Sequence, residues 1–555
     1  MDHKDDSFAT AARTTRWAWC ALLAAMLWVA LVRLPLVLNA EVHLDSDLAV
    51  DGLTLRDATH GHLRWHFPGT PYMGIGPILL SLPGALVFGV NASTLVVGGV
   101  IAYELFVMST FLLVRRLFGP VAAVWALVPL AFASVGTVWL SGRLTGGHLL
   151  TLAWHAAALA MVPTFRQTGG HWRALLFGVW CGLGYYLDGM FVMTLPFVGM
   201  LALASVMRTA NLGRMLVLTL LMAGGFAIGD LPREVGSRLD PHDAYKEQFT
   251  TIFEHDERAP LDRGRVQSLF LGHLSLLSLE CLPRLITGHR LVASDLPTEP
   301  RPESLAGGAS PTPRPASPGL AFATVTVSAV LFVAAWIAVA RAGFSPRRVS
   351  TSTSGDASAG WCLAMLGSSV LVATLFLLSM NIYNSDNYRY LVYFLLPWSV
   401  GYGLMMAGLW RRGVGGRIAA ALLSGMLALL FTLDTASWYR GFGWLDEANR
   451  PVRRPIDDPA LDYLRAHPEV DAIFGGYWDV YRYQFLLGDR VAGLPFPEFP
   501  DRYQAADKFP SRQPRVLVAK QGDRNDFYRA MALRDHGKVL FRGRDRLIID
   551  WPRTR

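Results

Sequence analysis

Apolar runs of bilayer length, separated by short arginine-bearing loops, recur along this chain and leave it few ways to fold. About 20 apolar residues, each rising 1.5 Å, cross a hydrocarbon core. In lipid, only a helix or a closed barrel satisfies its backbone hydrogen bonds. The runs fall near 17–38, 93–114, 120–140, 147–163, 173–187, 189–207, 214–230, 319–340, 361–380, 391–410 and 416–433, which predicts eleven transmembrane helices. Composition agrees: 52% of the 555 residues are hydrophobic and 17% charged, against about a quarter charged in an average globular chain.

The first run follows Arg13 and Arg16 as a signal peptide would. It is too long for a signal h-region, however, and no A-x-A site follows it, so it reads as a retained helix interrupted near its far end by Arg33 and Pro35. Orientation comes from the charges. Alternate loops contain Arg115 and Arg116, Arg166 and Arg173, Arg208 and Arg214, then Arg341, Arg347 and Arg348, and finally Arg411, Arg412 and Arg417. With the N-terminus inside, every inner loop is basic, as the positive-inside rule requires. The formal charge of +8 therefore has a membrane explanation, and nucleic acid is not an expected partner. Cys20, Cys181 and Cys362 lie in or beside apolar runs and Cys281 stands alone in a polar one, so no disulfide framework or metal spacing is present.

Two units follow from this layout: a transmembrane part over 1–433 and an outer α/β domain over 434–555. In the latter, "RVLVAK", "KVLFRG" and "RLIIDW" read as strands, and "PALDYLRAH" and "YWDVYRYQFLLG" as helices. The outer segment 231–318 ends in "LPTEPRPESLAGGASPTPRPASPG", too rich in Pro, Ser and Gly to build a core and so a disordered linker. In the outer loop 39–92, Asp45, Asp47, Asp51 and Asp57 stand just past the first helix, ahead of an apolar stretch, 76–88, suited to lying in the interface. Four solvated aspartates are one reading. The other is a carboxylate placed where a lipid-bound and a water-borne substrate can meet.

"HLDSDLAVDGLTLRD", "PYMGIGP" and "LVFGVNASTL" are similar to the first outer loop of bacterial GT-C glycosyltransferases, including the glycosyltransferase family 39 or protein-mannosyltransferase-like group. "SGRLTGGHLLTLAW", "GLGYYLDGMFVMTLP", "DNYRYLVYFLLP" and "GGYWDVYRYQFLLGDRVAGLP" resemble later segments of that class. The resemblance implies a polytopic GT-C fold that moves a sugar from a polyprenyl-phosphate donor to an acceptor hydroxyl on a glycan, lipid or protein. The setting it implies is the periplasmic face of a bacterial inner membrane, among membrane lipids. It also implies Asp47 as general base, with Asp45 in reserve, because an attacking hydroxyl must lose its proton to a group within hydrogen-bond reach. Fixed cations favour the departing phosphate; Arg389 and then Arg143 suit that role. Tyr72, His148, Asp188 and Tyr390 complete the expected substrate contacts. No cofactor is required, and a divalent cation is possible but not indicated.

This chain departs from the class where Leu48 follows Asp47, where His148, Leu149 and Leu150 follow the Gly-Gly pair, and where Pro77 ends the tyrosine-glycine segment. These losses keep open a non-catalytic relative that only binds lipid-linked glycans. A transporter or flippase is the other rival; it would use Glu104 and His155, which otherwise read as a structural pair between helices. A reporter fused after Leu433 is expected to be periplasmic and one at Gly415 cytoplasmic. Finding both on one side of the membrane would remove the eleven-helix layout.

Overall fold

The computed structural model describes residues 3–144, 148–162, 170–207, 211–239, 270–291, 318–344, 355–379, 382, 385–497, 503, 508, 516–520, 523–543 and 546–551. Residues 292–317, which hold nearly all of the Pro/Ser/Gly-rich linker, and residues 345–354 lie outside these residues. Each of the eleven apolar blocks is helical within the described residues. Among the described residues, seven helices are long and apolar enough to cross a membrane: Arg16–Leu38, Ala92–Phe118, Leu212–Leu239, Pro318–Phe344, Ser358–Leu378, Asp386–Trp410 and Val414–Gly441.

Several blocks differ in detail from the sequence expectation, each for a local reason. The first helix, His3–Leu38, runs through Arg33 and Pro35. Arg33 is held by protein groups: its Nε donates to Ser141 Oγ at 2.6 Å, its Nη1 donates to the Val29 carbonyl at 3.1 Å, and its guanidinium lies 4.4 Å from the Tyr103 ring centroid. The 120–140 block breaks into Pro120–Ala131 and Val135–Leu140, because Ser134 caps the second piece and donates to the Leu285 carbonyl at 2.5 Å. In the 189–207 block, a 3-10 turn, Gly189–Met193, precedes Leu195–Met207. The 214–230 block continues as helix to Leu239, past the expected start of the outer segment.

Helices Gly170–Leu187 and Leu212–Leu239 approach closely enough that only glycine fits. A Cβ on Gly178 would stand 2.1 Å from the Met222 carbonyl, and one on Gly225 2.3 Å from that of Leu175. Small residues four apart on both helices allow this backbone contact, which supplies the packing that lipid does not drive by itself.

The expected loop 39–92 is largely ordered structure. It forms helix Ser46–Thr59, a hairpin of β1 (His66–Phe67) and β2 (Thr70–Gly74), and two short helices, Gly76–Leu79 and Leu82–Phe88. The second of these leaves Leu86, Val87 and Phe88 strongly exposed, an apolar tip of the kind that enters an interface. Near the C-terminus, β3 (Ala472–Gly475), β4 (Ala492–Pro495), β5 (Val516–Lys520), β6 (Lys538–Arg542) and β7 (Arg546–Asp550) form a mixed sheet in the order β4-β3-β5-β7-β6. The β3–β4 and β3–β5 pairs are parallel, and β7 is antiparallel to β5 and β6. Helix Tyr477–Leu487 connects β3 to β4 and lies on helix Ser46–Thr59. A Cβ on Gly52 would fall 2.2 Å from the Phe485 ring, so glycine is what permits that crossing.

Beneath the sheet, Asp458 is fully buried, accepting from Arg482 Nη1 at 2.6 Å and from Arg546 Nη1 at 3.0 Å, while Arg546 Nη2 donates to Asp479 at 2.8 Å. Burial pushes the Asp458 carboxyl up, but the Arg546 and Arg482 charges hold it below its ordinary value. Asp458→Ala would take the carboxylate from buried Arg482 and leave Arg546 with Asp479, and should cost about 3–5 kcal/mol. A carboxyl depressed in the folded state stabilises fully above the unfolded value near pH 4 and loses that contribution as pH falls through the lower folded value. Thermal unfolding of the full chain in detergent should therefore show a wide gap between wild type and Asp458→Ala at pH 7 that narrows in strong acid.

Candidate active site

The first helix ends on Asn39, whose Nδ2 donates to the Pro35 and Val452 carbonyls at 2.9 Å each and whose Oδ1 accepts from Arg454 N at 2.8 Å. The chain is thus already tied to the C-terminal part where it leaves the helix. Asp45 then serves as N-cap of Ser46–Thr59. Its Oδ1 accepts from Leu48 N at 2.9 Å, in the usual manner of a capping aspartate. Its Oδ2 pairs with Arg143. Asp47, in the first turn, where a helix favours negative charge, accepts from the Tyr477 hydroxyl at 2.6 Å.

Arg143 sits on the turn after Val135–Leu140, with its guanidinium 4.6 Å from the Trp139 ring centroid. Asp45, Asp47 and Tyr388 all lie within its electrostatic reach. Tyr388 is the hub of the cationic side. It is buried, donates to the Gly136 carbonyl at 3.1 Å, and has Arg284, Asp386, Arg143 and Arg389 around it. Arg284 lies 4.5 Å over the Tyr388 ring and pairs with Asp386; Arg389 lies 5.3 Å from the Tyr390 ring.

Tyr390 also meets His148, ring centroids 5.3 Å apart. His148 has a left-handed backbone, φ 51°, unusual for a residue with a Cβ, and its Nδ1 lies 2.5 Å from Asp188 Oδ2. Asp188 also accepts from Thr151 Oγ1 at 3.0 Å and Met190 N at 2.9 Å. Burial pushes its carboxyl up, but the His148 charge and these hydrogen bonds together hold it below the ordinary range. His148 Nε2 is buried with no partner among the described residues, so the ring has one nitrogen spent on Asp188 and one in reserve.

Asp45, Asp47 and Arg143 thus form one group and His148, Asp188, Arg389 and Tyr390 another, scattered over the sequence, with Arg143 within electrostatic reach of Tyr388 between them. Tyr72 lies on β2, with its side chain outside the described residues. Sequence reasoning did not single out Tyr477, Arg284, Asp386, Tyr388 or Thr151. Tyr477 belongs to an aromatic helix that reads as packing, and Arg284 to an outer segment with no motif, so only proximity reveals them. The expected Glu104–His155 pair does not form. Glu104 has Arg33 as its charged neighbour and His155 packs on Tyr393, ring centroids 5.3 Å apart, so the two groups a flippase would have coupled are apart. Among the described residues no group of three or more His, Cys, Asp or Glu side chains could hold a metal ion.

No protein-family model matches the chain, and no curated protein matches its sequence. Solved structures do match its fold. It is similar to ArnT of Cupriavidus metallidurans in the apo state, at 13% identity and a TM-score of 0.55, over 95% of this chain and 97% of that one. The ArnT structure bound to undecaprenyl phosphate matches at 13% identity and 0.56, over 96% and 98%. The apo oligosaccharyltransferase of Archaeoglobus fulgidus matches at 14% and 0.50, over 91% of this chain and 69% of that one. The chain therefore has the GT-C fold of polytopic membrane proteins. The narrower family 39 assignment remains a resemblance.

Asp45→Ala removes a helix cap, worth about 1 kcal/mol, and leaves Arg143 unpaired in a nearly closed site, where breaking an ion pair costs about 3–5 kcal/mol when burial is complete. A loss of roughly 2–5 kcal/mol is expected between these limits. Thermal unfolding in detergent measures it, and a melting temperature equal to wild type would show that the pair is not formed.

Proposed function

We propose that this protein is a GT-C glycosyltransferase that transfers a sugar from a polyprenyl-phosphate donor to an acceptor hydroxyl, with Asp47 as general base. The observation that carries the reading is the pairing of Asp45 with Arg143, which has Asp47 within its electrostatic reach and stands near Tyr388, around which Arg284 and Arg389 also gather. This is the charge pattern the reaction demands. A carboxylate takes the proton of the attacking hydroxyl as the new glycosidic bond forms at the anomeric carbon. The bond from that carbon to the lipid phosphate breaks, and the electron pair leaves with the phosphate, whose growing charge fixed guanidinium groups stabilise. Arginine suits this role because its planar fork meets phosphate oxygens in pairs.

Within the site the two aspartates differ in their ties. Asp45 is committed through both oxygens, to Leu48 N and to Arg143, which suits positioning. Asp47 accepts from a neutral phenol, Tyr477, at the start of the helix that Asp45 caps, which suits a carboxylate that is to take up a proton. The neighbour bound to undecaprenyl phosphate supports a polyprenyl-phosphate donor through shared fold. The acceptor would be a glycan, lipid or protein hydroxyl at the periplasmic face of a bacterial inner membrane. In this reading His148, Asp188, Tyr72 and Tyr390 serve as substrate contacts.

Asp47→Asn preserves size and the Tyr477 contact but removes the base. Transfer from a matched polyprenyl-phosphate sugar should fall about 10²–10⁴-fold, roughly 3–5 kcal/mol of transition-state stabilisation, with donor binding little changed. Asp45→Asn should be milder. An inactive Asp45→Asn beside a fully active Asp47→Asn would reverse the two roles, and full activity in both would remove the base from this loop.

A further inference from the structure

At the other end of the helix bundle a cavity of about 730 Å³ opens between helices Ala92–Phe118, Leu149–Met161 and Gly170–Leu187. Its lining includes Ser109, Leu112, Arg115, Arg116, Ala157 and Trp180. It is not part of the candidate active site. Gly99 packs against the backbone of the turn that bears Arg143, and Arg115 lies on the same helix roughly 24 Å further along by its rise per residue.

The charges at its mouth have no internal answer. Arg116 Nη1 is fixed on the Ala160 carbonyl at 2.9 Å, and the Arg115 guanidinium lies 4.9 Å from the Trp19 ring centroid. Neither pairs with a carboxylate among the described residues, and Arg173 is near enough to repel Arg116. Two like charges thus stand side by side on a mainly apolar hollow, where the low dielectric strengthens their attraction for an anion. Around the opening, Trp172, Leu176 and Leu112 are exposed apolar residues, and Trp19 and Trp172 are the residue type that settles at headgroup level.

Two demands then fall on any occupant. It must offer negative charge to the arginines, and it must offer a hydrocarbon portion to the walls. Soluble phosphate meets the first alone and a zwitterionic or neutral lipid mainly the second. We infer that this cavity binds an anionic phospholipid from the leaflet opposite the candidate active site, with its phosphate at Arg115 and Arg116 and its acyl chain along Leu112, Ala157 and Trp180. Basic pockets between transmembrane helices on the positive side of a membrane hold such headgroups.

The experiment titrates phosphatidylglycerol into the purified full chain in neutral detergent and counts bound lipid by native mass spectrometry. Phosphatidylcholine and inorganic phosphate serve as comparison ligands. Wild type is expected to bind one phosphatidylglycerol at least tenfold more tightly than phosphatidylcholine, with inorganic phosphate unable to displace it. Arg115→Gln with Arg116→Gln should weaken binding tenfold or more, since each surface cation contributes about 1 kcal/mol toward an anionic headgroup. Ala157→Trp, which fills the hollow and keeps both arginines, should weaken it as much. Asp47→Asn should not change it. Wild-type affinity in both cavity variants, equal binding of phosphatidylcholine, displacement by inorganic phosphate, or loss of binding in Asp47→Asn would each overturn the assignment.

Discussion

The ion pair between Asp45 and Arg143 joins residues 98 positions apart, and the geometry of the candidate site depends on it. Asp45 begins helix Ser46–Thr59 and so aims Asp47. Arg143 ends the turn that Arg33 secures from the first helix through Ser141, and it reaches Tyr388 and the late helix beyond. Three parts of the chain are thus registered to one another by a single charge contact in a nearly dry place. There a charge left unpaired costs several kcal/mol, so the three move as one or not at all.

The same economy explains the polar residues elsewhere in the molecule. Asp188 accepts from a histidine, a threonine and a backbone amide, and Asp458 is enclosed by two arginines and a tyrosine. In each case a buried carboxylate has its lone pairs filled by donors from separate elements, which converts a desolvation penalty into a fixed geometry. The C-terminal sheet takes part through its helix Tyr477–Leu487. Ser46 Oγ donates to the Tyr477 carbonyl at 2.6 Å, and Tyr503 donates to Asp57 at 2.8 Å. The C-terminal part thus packs on helix Ser46–Thr59 and supplies the phenol on Asp47.

That a GT-C fold persists at 13% identity has a simple physical basis. Many apolar residues suit a lipid-facing or interhelical position, so the order and length of the blocks matter more than their spelling. The exceptions are positions where backbones touch, such as Gly178 and Gly225, and where a side chain must be absent, such as Gly52.

Helix existence was legible from the sequence because roughly 20 apolar residues have one economical arrangement in lipid, and the described parts of the eleven apolar blocks are helical. The strands Val516–Lys520, Lys538–Arg542 and Arg546–Asp550 were legible for a similar reason, as short β-branched and apolar runs. Asp47 and Asp45 could be singled out by their place after the first helix, but their different ties could not. Whether Asp47 meets a phenol and Asp45 a guanidinium depends on Tyr477 and Arg143, which lie 430 and 98 positions away. Glu104 and His155 show the converse: both occupy the middle of apolar helices, yet helix rotation turns one toward Arg33 and the other toward Tyr393. Periodicity along the chain determines which segments enter the membrane. Which charges face one another is decided by packing between distant helices, and only the tertiary structure contains that.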